Sequence, residues 1–176
     1  MKRLVLIFGA FAIASACGSD SPSAPSQPAV AQVGGVWRGN FTTVSVTGGE
    51  CFAGVLQSTI GGADAATASL TQTGSSVNAT VTVTSTGSNY TYSGAVGQSA
   101  LTLNGSNCSA CNVIGATCPN GIARRDLKIQ TLAITGTVIG NTITGTESET
   151  YNVFVGGTTS TVGSVVIANS FTLTRQ

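Results

Sequence analysis

The amino-acid sequence predicts an all-β protein, an antiparallel up-and-down barrel of about eight to ten strands. From Val36 onward the chain is rich in Thr, Val, Gly and Ser, which are residues typical of strands and tight turns. Apolar and polar residues alternate with a period of two, which indicates strands with one face in a core. With nine candidate strands and no predicted helix to cover a sheet, closure into a barrel removes exposed edges economically. A β-sandwich is the alternative.

The clearest alternation lies in the stretch 77–83, where Val77, Ala79, Val81 and Val83 share one face. After a first strand at Val36, similar patterns predict strands near 51–60, 65–73, 90–96, 101–103, 126–138, 142–154 and 164–175. The predicted inward residues of these strands are Phe52, Gly54, Leu56, Ile60, Ala66, Ala68, Leu70, Gln72, Tyr90, Tyr92, Val96, Leu101, Leu103, Val165, Ile167, Phe171 and Leu173. Between Ile129 and Leu132 the alternation changes phase, which predicts a β-bulge.

Glycine-containing turns separate these runs. They lie at Gly48-Gly49, Gly74-Ser75-Ser76, Gly87-Ser88, Gly97-Gln98 and Gly140-Asn141. Glycine accepts the positive φ that tight hairpin turns require, and consecutive hairpins place neighbouring strands side by side. The turns therefore predict a meander.

The N-terminus carries an export signature. Lys2 and Arg3 precede an apolar run from Leu4 to Ile13, and small residues then lead into Cys17. This stretch resembles the lipobox signal of bacterial lipoproteins, with Ala14 where that family usually has Leu. The resemblance implies that Cys17 is lipidated and becomes the first residue of the mature protein. An ordinary secretory signal with a chance cysteine, or a short buried helix, is the alternative.

The signature divides the chain into a signal peptide at 1–16, a flexible tether at 17–32 and a barrel domain at 33–176. The tether holds three of the four prolines among Ser and Ala, a composition typical of linkers. Gly18, rather than Asp, follows the cysteine. In the lipoproteins that the signal resembles, this implies a lipid anchor in the outer membrane, on its periplasmic face or at the cell surface.

The charge composition excludes several classes of function. Charged residues make up 7% of the chain, and histidine is absent. Without Lys2 and Arg3, five cations face six carboxylates with no basic stripe, so we expect no nucleic-acid partner. Because histidine is the usual general base and the commonest metal ligand, we predict a protein that is not an enzyme and holds no cofactor or metal. We also expect a monomer.

The two ends of the predicted barrel carry a second resemblance. Gly35-Val36-Trp37 opens the first strand and Arg175 closes the last, an arrangement similar to that of the calycins, the lipocalins and avidins. The resemblance implies that Trp37 plugs one end of the barrel and that Arg175 stacks on its indole ring. A plain core tryptophan in any β domain is the alternative.

Four cysteines remain after Cys17, namely Cys51, Cys108, Cys111 and Cys118. An even number in an exported chain predicts two disulfides, whereas a redox pair at Cys108 and Cys111 or a zinc site of four thiolates is less consistent with this sequence. We expect one bridge within the 108–118 cluster and one from it to Cys51. A strict meander of nine strands, however, places Cys51 and the loop 105–125 at opposite ends, so the loop climbs the wall or the strand count is off by one.

Glu147 and Glu149 share a strand face with Ile143, Tyr151 and Val153. Unbroken alternation would point both carboxylates into the barrel, where such a pair can serve glycoside cleavage. A bulge near Gly145, or a position at the barrel mouth, would turn them to water and avoid the cost of burial.

Two classes of function remain. A mostly small interior set would leave a cavity for a small hydrophobic or amphipathic ligand, and the candidate contact residues are Gln72, Tyr90, Tyr92, Leu101 and Leu103. The alternative is a structural or interaction protein of the cell envelope with no internal ligand. A filled interior would favour this alternative.

Overall fold

The computed structural model describes residues 29–48, 51–109, 114–118 and 124–176, apart from the side chains of 51–53, 106, 114 and 116. The predicted signal peptide and most of the predicted tether lie outside these ranges. The elements are β1 (Gly35–Gly48), α1 (Cys51–Gln57), β2 (Ala63–Thr73), β3 (Ser76–Val83), β4 (Asn89–Val96), β5 (Ala100–Ser109), β6 (Ile114–Ala116), β7 (Arg125–Ile139), β8 (Thr142–Val155) and β9 (Thr161–Arg175).

Eight antiparallel strands form a closed up-and-down barrel, as the alternation and the hairpin turns predict. The neighbours run β5-β4-β3-β2-β1-β9-β8-β7, and pairing of β5 with β7 closes the ring. The short strand β6 lies outside the barrel and pairs with β7. Each of the eight strands is thereby paired on both sides, and the ladder that closes the ring joins Ala100–Gly105 of β5 to Leu132–Thr137 of β7.

The stretch 51–60 is not the predicted strand: it forms α1 and a turn. Both edges of β1 are occupied, by β2 and by β9, so the connecting segment has no ladder to join. A helix satisfies its backbone groups internally, and the hydroxyls of Ser58 and Thr59 donate to the carbonyls of Val55 and Leu56 at its end. Of the residues predicted to point inward here, Leu56 is buried, whereas Gly54 and Ile60 are exposed.

Because 51–60 is not a strand, Cys51 and the end of β5 no longer lie at opposite ends of the barrel. We name the end at which β1 finishes and α1 lies the upper end, and the end at which β1 begins and β9 finishes the lower end. With one strand fewer before β2, β5 finishes at Ser109 and β7 begins at Arg125 at the upper end, which is the end where Cys51 opens α1. Cys108 and Cys118 each form a disulfide in the structure. The Cys51 side chain and Cys111 lie outside the described residues.

The phase change in β7 is a bulge, as predicted. The ladder between β7 and β8 shifts register between Ile129 and Thr131, so Gln130 is the extra residue. By contrast, β8 keeps an unbroken register with β7 from Thr142 to Thr150. The region around Gly145 therefore holds no bulge.

The lower half of the barrel is filled. Its apolar cluster includes Trp37, Leu103, Leu132 and Ile143, each at most 2% exposed. The void among these side chains has a volume of about 20 Å³, which is about the space of one water molecule. The rings of Phe41 and Phe171 stack at a centroid distance of 5.0 Å near the middle of the barrel.

The segment before β1 closes the lower end. Val33 is completely buried, and Val30 and Ala31 pack against the same apolar cluster. The Gln72 amide accepts from the Val33 N–H at 2.6 Å and donates to the Ala31 carbonyl at 2.9 Å. The last residues of the predicted tether thus pack against the barrel.

Candidate functional site

The upper half of the barrel holds a cavity of about 500 Å³, here called the upper cavity. Its walls come from all eight barrel strands and from α1. The lining residues are Phe41, Thr43, Leu56, Thr59, Asp64, Val81, Val83, Thr86, Ser88, Tyr90, Asn107, Cys108, Leu127, Lys128, Ile129, Glu147, Glu149, Tyr151, Ile167 and Asn169.

Two carboxyl groups face the upper cavity. From Ile143 to Val153 the odd-numbered residues of β8 point inward, and this set includes Glu147 and Glu149. Glu147 is only 6% exposed, and Glu149 is half-buried. Of the two orientations that the sequence leaves open, the structure has the unbroken alternation that directs both carboxylates inward.

Neutral donors from three strands bind these carboxyl groups. The Tyr92 hydroxyl donates to Glu147 Oε1, and the Tyr151 hydroxyl donates to Glu149 Oε2. Asn169 Nδ2 donates to Glu147 Oε2 at 3.1 Å and to Glu149 Oε1 at 2.8 Å, so one amide bridges both groups. We call these five residues the carboxyl cluster. In it, every carboxylate oxygen of the two glutamates has a donor.

Burial without a counter-charge sets the protonation of the cluster. Loss of hydration raises the pKa of Glu147 from 4.5 to about 7, and the neighbouring Glu149 charge adds to this rise, although the bonds from Tyr92 and Asn169 partly offset it. Burial also raises the pKa of Glu149. Burial and the nearby carboxylates raise the pKa of Tyr90 to about 12 and those of Tyr92 and Tyr151 well above their usual range. The tyrosines therefore remain neutral donors at physiological pH.

The residues predicted to contact a ligand are divided between the two halves of the barrel. Tyr90 lines the upper cavity, and Tyr92 belongs to the carboxyl cluster. Leu101 and Leu103 lie in the filled lower half. Gln72 is bound to the segment before β1, at the lower end. The structure therefore does not bring these five residues into one site.

The lower end is held by the contact that the calycin resemblance implies. The Arg175 guanidinium carbon lies 5.3 Å from the centroid of the Trp37 ring, and Arg175 Nη2 donates to the Gly34 carbonyl. The indole N–H donates to the Val33 carbonyl at 2.8 Å. These bonds join the segment before β1 to the last strand, away from the upper cavity.

The sequence prediction missed Asn169 and Asp64. Asn169 had a detectable signal, because it occupies the inward face of β9 between Ile167 and Phe171, where an amide is unusual. Asp64 stands at the start of β2, and its charge helps to raise the pKa of Glu149. No pattern in the sequence connects Asp64 with β8. Among the residues that the structure describes, no group of three or more His, Cys, Asp and Glu is arranged to hold a metal ion.

No protein-family model, curated protein or solved structure matches this chain. Within the described ranges, no helix is long and apolar enough to cross a membrane. The chain's own geometry is therefore the basis for any functional conclusion.

Proposed function

We propose that this chain is a lipid-anchored protein of the outer membrane whose calycin-like barrel binds a small amphipathic molecule in the upper cavity, without catalysis. The observation that carries this proposal is the unequal filling of the barrel. The lower half leaves a void of about 20 Å³, whereas the upper half leaves about 500 Å³. A structural role with no internal ligand requires no such cavity.

The volume and the lining suit a small molecule. Ligand pockets usually measure about 300–1,000 Å³ and combine apolar walls with a few polar groups that fix orientation. Phe41, Val81 and Ile167 supply apolar surface, and the carboxyl cluster supplies polar groups through Glu147, Glu149, Tyr151 and Asn169. A ligand with an apolar body and one polar head fits this arrangement.

The geometry of the two glutamates favours binding over glycoside cleavage. That chemistry needs its two carboxyl groups about 5 Å apart or more, with a reactive bond or a water between them. Glu147 and Glu149 are instead within hydrogen-bonding reach of each other and share the Asn169 amide. No space for a sugar ring lies between two groups so placed.

The first test concerns the anchor. Because Cys17 would carry the acyl chains, Cys17→Ser should move the protein from the membrane fraction to the soluble fraction. Immunoblots of the two fractions measure this change, and Ser15→Ala, which leaves the cysteine in place, serves as the control. A Cys17→Ser protein that still pellets with membranes would contradict lipid anchoring.

The second test concerns the cavity. We expect full-length Cys17→Ser protein to bind 1-decanol in isothermal titration calorimetry. Thr43 lines the cavity and Thr47 is exposed on the same strand, so Thr43→Phe should weaken this binding at least tenfold while Thr47→Phe leaves it unchanged. Equal affinities in the two variants, or no binding to the parent protein, would favour the structural alternative.

We also propose that all four remaining cysteines form disulfides. The helix that begins at Cys51 and the end of β5, which carries Cys108, both lie at the upper end of the barrel, and Cys108 and Cys118 each form a disulfide. One bridge within the 108–118 cluster and one to Cys51 stay predictions, which non-reducing peptide mapping would contradict by finding Cys51 unbridged.

A further inference from the structure

We infer that the ligand of the upper cavity is an organic cation, a molecule with an ammonium-type head group and an apolar body, whose head group pairs with Glu147 and Glu149. This inference rests on the proposed function and narrows it to one chemical class of ligand. Two independent features carry it, namely an open cavity of about 500 Å³ and two inward carboxyl groups that form no ion pair with any described residue.

Neither Glu147 nor Glu149 has a counter-charge among the described residues. Within the described part of the chain, the contacts of Glu147 and Glu149 are with tyrosine hydroxyls, with Asn169 and with each other, and neither forms an ion pair. Lys128, which lines the same cavity, holds its ammonium 4.8 Å from the ring centroid of Phe154 instead. Buried carboxyl groups are normally paired because their desolvation is costly. A cationic ligand would supply the absent partner.

The charged groups that line the upper cavity also favour a cation. Asp64 is exposed and also lines the cavity, so three carboxyl groups face the same space. Such a space repels carboxylate or phosphate head groups and attracts cations. The neutral donors around Glu147 and Glu149 hold the two groups in place without cancelling their charge, so a bound cation meets a preorganised pair.

The donor set points to an organic cation rather than a metal ion. The described residues contain no group of three or more acidic or thiol ligands placed to hold a metal. The cavity is also much larger than a metal ion needs, and Phe41, Tyr90 and Ile167 line it with rings and alkyl groups. Apolar surface of this kind stabilises an alkyl or aryl body, and a tyrosine ring also attracts an ammonium group.

Pairing with a cation has a consequence that can be measured. A carboxyl group that keeps its proton in the empty cavity loses it when an ammonium group binds, because the cation stabilises the carboxylate. Binding therefore releases protons near pH 7, where Glu147 titrates in the empty protein. A ligand with a neutral head group would release none.

The test compares three probes with the same ten-carbon chain, namely decylammonium, 1-decanol and decanoate, by calorimetry at pH 7 on the full-length Cys17→Ser protein. We expect decylammonium to bind at least tenfold more tightly than 1-decanol, and decanoate to bind most weakly. Titrations in phosphate and in Tris, which differ in ionisation enthalpy, should reveal proton release for decylammonium alone.

Two variants test whether the preference for decylammonium depends on Glu147 and Glu149. The double variant E147Q/E149Q should lose the preference for decylammonium, and a far-UV circular dichroism spectrum like that of the parent protein would show that the barrel is intact. Asp126→Asn removes one negative charge on the outer face of β7 and should keep the preference. Equal binding of decylammonium and 1-decanol to the parent protein would overturn this inference and leave the proposed function standing. Failure of all three probes would overturn both.

Discussion

Trp37→Ala should lower the free energy of unfolding by about 3–5 kcal/mol, the usual cost of truncating a fully buried aromatic side chain. Trp37 has no exposed surface, and it packs in the apolar cluster of the lower half. Its loss also leaves the Val33 carbonyl without its indole donor and Arg175 without the ring below its guanidinium group. The segment before β1 and the end of β9 would then loosen together.

Urea titration followed by far-UV circular dichroism measures this loss, since Trp37 is the single tryptophan and fluorescence disappears with it. Trp37→Phe is the matched control, because it keeps an aromatic six-membered ring and removes the five-membered ring with its indole N–H. We expect it to cost about 1–2 kcal/mol. A Trp37→Ala protein within about 1 kcal/mol of the parent would show that the ring does not close the lower end.

We also expect the Trp37 variants to change the stability of the barrel without changing ligand binding in the upper cavity. Trp37 does not line the upper cavity, so Trp37→Phe should bind 1-decanol as the parent protein does. Stability and ligand affinity would then respond to different residues. This separation follows from the filled layer around Phe41 and Phe171, which lies between Trp37 and the upper cavity.

The strand pattern could be predicted because most of its determinants are local. Alternation in β3 and glycines such as Gly74 and Gly140, which adopt φ values of 60° and 57°, place strands and hairpins without knowledge of distant residues. The stretch 51–60 was predicted wrongly because its state depends on the direct pairing of β1 with β2. No local pattern reveals that a ladder is already occupied.

The arrangement of the carboxyl cluster likewise depends on strand pairing that no local pattern reveals. Gly145 was a candidate bulge, yet it faces Gly136 across the β7–β8 ladder, where a Cβ atom would lie 2.1 Å from the Thr135 carbonyl oxygen. The glycine thus allows a close approach of two strands and does not turn Glu147 outward. Asn169 meets Glu147 because the β8–β9 register places the two directly opposite each other. A register between residues 22 positions apart in sequence cannot be read from either strand alone.

Glu147→Gln should flatten the pH dependence of stability between about pH 5 and pH 8. In the folded protein, burial and the Glu149 charge raise the pKa of Glu147 from 4.5 to about 7. The folded state therefore holds this proton more tightly than the unfolded chain does. The resulting stability is fully present below pH 4.5 and is lost as the pH rises through about 7.

A pKa difference of this size corresponds to roughly 3 kcal/mol of unfolding free energy, and the raised pKa of Glu149 acts in the same direction. Glutamine carries no charge at any pH, so the variant avoids the cost of a buried carboxylate at pH 8. It should therefore be more stable than the parent protein at pH 8. Near pH 5 the order should reverse, because the amide NH2 of glutamine would replace one of the two carboxyl oxygens that accept from Tyr92 and Asn169, and would meet a donor there.

Urea midpoints measured from pH 5 to pH 8 test whether the stability curves of Glu147→Gln and of the parent protein cross. Asp126→Asn is the charge-matched control, because bonds from Gly157 and Arg124 lower the pKa of Asp126 and it does not titrate in this range. Its curve should run parallel to that of the parent protein. A Glu147→Gln curve with the parent's slope would mean that Glu147 is already ionised in the folded barrel. Glu147 would then carry its charge even without a ligand, stabilised by the bonds from Tyr92 and Asn169.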